Sequence, residues 1–193
     1  WQELSKTEFG DPEGLGWYET GIIDKEGHSR GWKLARHVDN ILKDIVREEL
    51  MPYINYRYSA FKVIGKHLKK TTKEERKAFV PVFREYLVTS YAQVFTLYDK
   101  QAVEFAPAED VTNKNIVVVD TRIIMTGRDN IDVAFKVRKD RKTKEWKAFD
   151  IIAEGVSLLD SKQAEFGGVI RQKGLPYVTE LLQKKSERDI VFK

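Results

Sequence analysis

The hydrophobic period of the chain changes at Asp99, and that change constrains the fold more than any single motif. Before it, Thr72 and Glu75 form a Thr-x-x-Glu capping box, and Phe79, Val82, Phe83, Tyr86, Leu87, Tyr91, Val94, Phe95 and Tyr98 recur every three or four residues. That spacing is one wide apolar face of a helix of about five turns. Pro81 falls inside it and predicts a bend, because a proline there removes a hydrogen bond at a cost of roughly 3 kcal/mol. After Asp99 apolar residues alternate with polar ones, which predicts strands near 101–106, 115–126, 130–139 and 145–158, with "TGRDN" and "KDRKTKE" as polar connections. Short connections between the last three strands imply an antiparallel meander. Helices, then a curved antiparallel sheet, then helices place the chain in the α+β class with segregated layers.

The flanking segments are read more briefly. Six of the twelve glycines fall in the first 31 residues, which show no sustained period and are read as an irregular leader. A helix follows with Leu34, Val38, Ile41, Leu42 and Ile45 on one face and Pro52 stopping it after Met51. A second helix over roughly 55–70 carries Phe61, Ile64 and Leu68 on its apolar side. Two C-terminal helices are expected, one capped by Asp160 with Gln163, the other after Gly174 with Leu175, Val178, Leu181 and Leu182 inward. The organisation expected is a leader over 1–31 and a single domain over 32–193, helical over 32–99, sheet over 100–158 and helical again over 160–187.

Composition removes several classes of chemistry. With no cysteine, disulfides, thiolate nucleophiles and cysteine metal sites are excluded. His28, His37 and His67 share no i, i+4 spacing, so a transition-metal site has no support and none is expected. Gly155-Val156-Ser157 fails the nucleophile-elbow pattern because residue 159 is Leu, and "GLG" at 14–16 lacks the rest of a phosphate loop. No run reaches the roughly 18 apolar residues of a membrane span. The net charge is +4 and the surplus lies outside the acidic first 30 residues, yet basic and acidic side chains are interleaved. No stripe of aromatics alternates with Arg, so nucleic acid is not an expected partner. The basic stretch "KHLKKTTKEERK" reads either as a solvated helix junction or as a docking surface for acidic partners or anionic headgroups.

Asp150 and Glu154 are the carboxylates that could carry catalysis. On one unbroken strand they would stand roughly 13 Å apart, beyond the ~5–9.5 Å of paired carboxylates that work across one bond. A lone buried acid or base, at either of them or at Asp120, remains an alternative. The other strand face is apolar, with Phe149, Ile151 and Ala153 beside Val117, Val119, Ile123, Ile131, Val133, Phe135 and Val137. The aromatic stripe of the third helix is the expected cover for it. On the pattern alone a filled core accounts for these residues better than a ligand cavity does.

The segments "REELMPYI", "FREYLVTSYAQVFTLYDKQ", "FKVRKDRKTKEWKAFDIIAEGVSLLDSKQAEF" and "RQKGLPYVTELL" resemble the MlaC (toluene-tolerance) family of periplasmic phospholipid-binding proteins, in order and spacing from about residue 41 to 185. The signature positions carried over are Pro52, Phe83, Arg84, Tyr86, Leu87, Tyr91, Trp146, Asp150, Glu154, Gly155 and Ser157. Two features depart from the pattern: residues 1–40 lack the usual opening helix, and Pro81 stands where a helix former is usual. The resemblance implies a nuclear-transport-factor-2-like curved sheet with flanking helices enclosing an apolar cavity for acyl chains, and no enzymatic activity. It implies no cofactor beyond bound phospholipid as cargo. It also implies a monomeric periplasmic carrier whose partners are an inner-membrane ABC transporter with a mammalian-cell-entry domain and an outer-membrane lipoprotein and porin complex. Facing then assigns lipid contact to Phe61, Ile64, Phe83, Leu87, Tyr91, Val94, Phe95, Val119, Ile123, Val133, Phe135, Val137, Phe149 and Ile151.

Overall fold

The structure, a computed structural model, describes residues 16–18, 21–23, 40–98 and 100–191. The chain divides into two compact units, Trp1–Leu42 and Lys43–Lys193. In the first unit β1 (Gly16–Tyr18) pairs antiparallel with β2 (Gly21–Ile23), a hairpin where an irregular leader was expected. Three-residue strands are too short to show a period of two, although Trp17, Tyr18, Ile22 and Ile23 are all strand-favouring residues. The expected helical positions Leu34 and Val38 lie outside the described residues.

Helical segment α1 (40–45) passes into a π-helical turn, Val46–Leu50, and a 3-10 turn, Met51–Tyr53, that contains Pro52. Helix α2 (Tyr56–Ile64) starts at Asn55, whose side chain accepts the Tyr58 N–H at 3.2 Å. It gives way to a 3-10 turn, Gly65–Lys70, instead of running to residue 70. Gly65 has φ +54°, and a Cβ there would collide with the Gln163 side chain, so the change of helix type needs glycine.

Helix α3 (Lys73–Phe95) opens with both halves of the capping box: the Glu75 N–H donates to Thr72 Oγ1 at 3.0 Å, and the Thr72 N–H donates to Glu75 Oε2 at 2.7 Å. The helix continues through Pro81, flanked by Phe79 and Phe83, which are buried and stacked with centroids 5.6 Å apart. Packing of these two rings, at about 1.5–3 kcal/mol each, offsets the lost hydrogen bond.

The sheet is an antiparallel meander in the order β3 (Val103–Phe105), β4 (Ile116–Ile123), β5 (Ile131–Lys139), β6 (Trp146–Ala153), β7 (Val156–Ser157). The strand expected over 145–158 is two strands. Glu154 (φ +49°) and Gly155 (φ +77°) form a two-residue turn, and Ala153 pairs with Val156 across it.

The C-terminal segment α4 (Leu158–Ser186) holds the two expected helices, parted at Gly174, whose φ +82° and ψ 169° lie outside the helical region. Ser157 caps it, accepting the Asp160 N–H at 3.0 Å, in place of the Asp160 cap expected. Gln163 instead donates to Lys62 O, holding the end of α2.

The closed core is helical: Val63 and Ile64 of α2, Phe79 and Phe83 of α3, and Phe166, Leu175, Val178 and Leu182 of α4 are nearly inaccessible. Phe149 is the sheet's one buried member of that cluster among the described residues. Helices α2 and α4 meet the sheet chiefly along β6 and β7. The first half of the α3 stripe packs on α2 and α4.

Candidate functional site

The β5–β6 register slips between Lys136 and Val137. Val137 pairs with Ala148 and Lys136 with Asp150, leaving Phe149 as the extra residue of a bulge. Consecutive residues Phe149 and Asp150 are thereby both buried. The Phe149 ring meets Tyr58 edge-on at 5.0 Å, and Ser59 Oγ donates to the Phe149 carbonyl at 2.7 Å.

Asp150, 5% exposed, has its carboxylate fully engaged. Oδ2 accepts from Lys136 Nζ at 3.0 Å and from Ser157 Oγ at 2.8 Å, while Oδ1 accepts the Leu159 N–H at 3.0 Å. The Ser157 hydroxyl thus donates to the strand and accepts from the first turn of α4. Burial pushes the Tyr91 phenol up to about 12, with the negative charge of Asp150 adding to the effect. Glu154 is exposed in the turn, and its Oε1 accepts the Asp132 N–H at 2.8 Å. The two carboxylates therefore do not share a strand face. Both act as structural acceptors, one latching β6 to α4 and the other bracing a hairpin.

The fourteen residues assigned to lipid contact separate into two sets. Ile64, Phe83 and Phe149 lie inside the closed core, with Phe61 and Leu87 half-buried against it. Their surface is taken up by neighbouring side chains, because the helical layer packs on itself. The remaining nine are outside that core. Tyr91, Ile123, Val133, Phe135, Val137 and Ile151 are half-buried, and Val94, Phe95 and Val119 are 60%, 45% and 37% exposed. The register sets Val119, Phe135 and Ile151 in one row across three strands, with Val117 and Val137 as neighbours. The distal end of α3 and its following turn add exposed Leu97 and Tyr98. Contiguous exposed apolar side chains of this kind are characteristic of interaction and ligand-binding surfaces.

A recess of about 540 Å³, within the ~300–1,000 Å³ of ordinary ligand pockets, opens on β3–β6. Val133 lines it, together with Phe105, Val118, Ala134 and Ile152, which the sequence reading did not single out. Its charged members are Glu104, Asp120, Arg122 and Asp132, of which Arg122 and Asp132 pair at 2.7 Å. Asp120 pairs in register with Ala134, so this face carries small apolar residues beside the charged ones. The fold is the expected α+β arrangement, a five-stranded antiparallel sheet with helices packed beside it. Among the described residues no three His, Cys, Asp or Glu side chains are grouped to hold a metal, and no helix is long and apolar enough to cross a membrane.

The sequence profile of the MlaC protein family matches residues 34–184. The intermembrane phospholipid transport system binding protein MlaC of Haemophilus influenzae is 32% identical over 154 residues, spanning 79% of this chain and 72% of its own length. The fold is similar to that of a phospholipid-binding protein from Ralstonia solanacearum solved in complex with a phospholipid, with a TM-score of 0.68 at 19% identity over 80% of this chain and 85% of the other. The profile match takes in α2, α3, the whole five-stranded sheet and the latch at Asp150, and on that ground the chain belongs to the MlaC family.

Proposed function

We propose that the protein is a non-enzymatic carrier that binds phospholipid by its acyl chains and shuttles it across the periplasm. Its partners would be an outer-membrane lipoprotein and porin complex and an inner-membrane ABC transporter with a mammalian-cell-entry domain. The observation that carries this reading is the apolar surface left outside the closed core, above all the row Val119–Phe135–Ile151 and the exposed end of α3, in a chain of the MlaC family. Each CH₂ removed from water contributes roughly 0.8 kcal/mol, so an acyl chain does not cross an aqueous gap uncovered at a useful rate. An apolar protein surface returns about what the bilayer returns, which keeps exchange near balance in both directions. The polar headgroup stays hydrated, and little headgroup discrimination follows.

The competing reading, an enzyme with a cavity carboxylate, finds no support at Asp150. A general base needs a free lone pair aimed at substrate, and this carboxylate is committed to Lys136, Ser157 and the Leu159 N–H. Native mass spectrometry of the purified protein tests the carrier reading. One or two co-purified phospholipids are expected; a lipid-free protein that also takes up none from vesicles would refute it.

A further inference from the structure

A second recess, about 390 Å³, lies where the turn Gly65–Lys70 meets α4, and it shares no described lining residue with the recess on the sheet. His67 forms part of its wall. The residue is 8% exposed, and its Nε2 is buried without a hydrogen-bond partner among the described residues. An unpaired buried polar atom costs about 1–3 kcal/mol, which a bound partner would recover.

The space beside that nitrogen is made by two glycines. A Cβ at Gly167 would stand 3.9 Å from His67 Nε2, and one at Gly168 would meet nothing within 4 Å. Neither has a positive φ or a neighbour that excludes a side chain. Each costs the interior of α4 roughly 1 kcal/mol relative to alanine, so packing does not explain them. What they leave is open space beside His67. Lys66 and Arg171 line the same recess, and neither makes an ion pair among the described residues. Asp160 is the single carboxylate of the described lining.

We infer that this recess is a binding site for an oxyanion of the phosphate class. Lys66 supplies an ammonium and Arg171 a planar fork suited to two oxygens. His67 donates from Nε2, and Gly167 and Gly168 leave the anion room to approach. The two cations outweigh Asp160. The same chemistry is offered by free phosphate and by the phosphodiester of a lipid headgroup.

The test uses the full chain with ¹⁵N-labelled histidine, titrated separately with inorganic phosphate and with glycerophosphoglycerol, a tail-free phosphodiester, at matched ionic strength. At least one of them should shift the His67 ring resonances saturably. Response to phosphate alone identifies a free anion, and response to the phosphodiester alone identifies a headgroup. Gly168→Leu, which fills open space and favours the helix, and Arg171→Gln, at an exposed position, should each weaken binding on the order of tenfold. If Gly168→Leu fails to fold, Arg171→Gln carries the test. No saturable shift beyond that given by sodium chloride, or unchanged affinity in Arg171→Gln, overturns the site and leaves lipid carriage, read from co-purified lipid, untouched.

Discussion

Asp150 accepts the backbone N–H of Leu159 at 3.0 Å, tying the last long strand of the sheet to the first turn of α4. With the helices meeting the sheet mainly at β6 and β7, this bond and its partners from Lys136 and Ser157 anchor the sheet to the helical layer.

Asp150→Asn is therefore expected to damage stability. It removes the charge opposite Lys136 and replaces an acceptor with a donor facing the Leu159 N–H or the Ser157 hydroxyl. A loss of roughly 2–3 kcal/mol follows, reduced from the range for a fully buried pair because Lys136 is part-exposed. Urea unfolding measures it, and a change below about 0.5 kcal/mol would mean the latch is dispensable.

Tyr91 gives a pH dependence with a defined sign. Its phenol is pushed up to about 12 in the folded chain, by burial first and by Asp150 second, against an ordinary value of 10.0. The unfolded chain releases this proton earlier, so the contribution to stability is complete below pH 10 and is lost as pH rises toward 12. Tyr91→Phe should lose less stability than the parent between those limits in parallel urea titrations. Identical alkaline slopes would contradict the assignment.

Much of this was legible in the sequence, and the rest was hidden for identifiable reasons. Period-two runs located β4 and β5, and Thr72 with Glu75 located the start of α3, because both signals are local. The latch at Asp150 was not visible, since the Phe149 bulge breaks the alternation and the bulge is set by pairing with β5. Glu154-Gly155 carried a usable signal, a glycine closing a strand, and Ser157 three residues before Asp160 was a readable cap. The division of the α3 stripe into a packed first half and an exposed end depends on where α2 and α4 lie, which no periodicity encodes.

Gly155→Ala tests the tight turn. Nothing stands within 4 Å of the added Cβ, so the effect is conformational and comes from φ +77°. A destabilisation of about 1 kcal/mol is expected. An unchanged melting temperature would show that β6 and β7 are not held by this turn.

Val119→Asp tests the apolar row. The residue is 37% exposed and outside the closed core, so the fold should tolerate the change. A carboxylate against acyl chains costs several kcal/mol, and co-purified phospholipid should fall on the order of tenfold. Retention at the parent level with an intact fold would remove this row from the binding surface.

The most direct measurement is cross-linking by a phospholipid with a photoreactive diazirine in its acyl chain, followed by peptide mapping. Adducts are expected on β4, β5 and β6 around Val119, Phe135 and Ile151 and at the end of α3 around Val94 and Phe95. Adducts confined to the closed helical core at Ile64, Phe83 and Phe166, or no adduct from a lipid the protein demonstrably retains, would contradict the account.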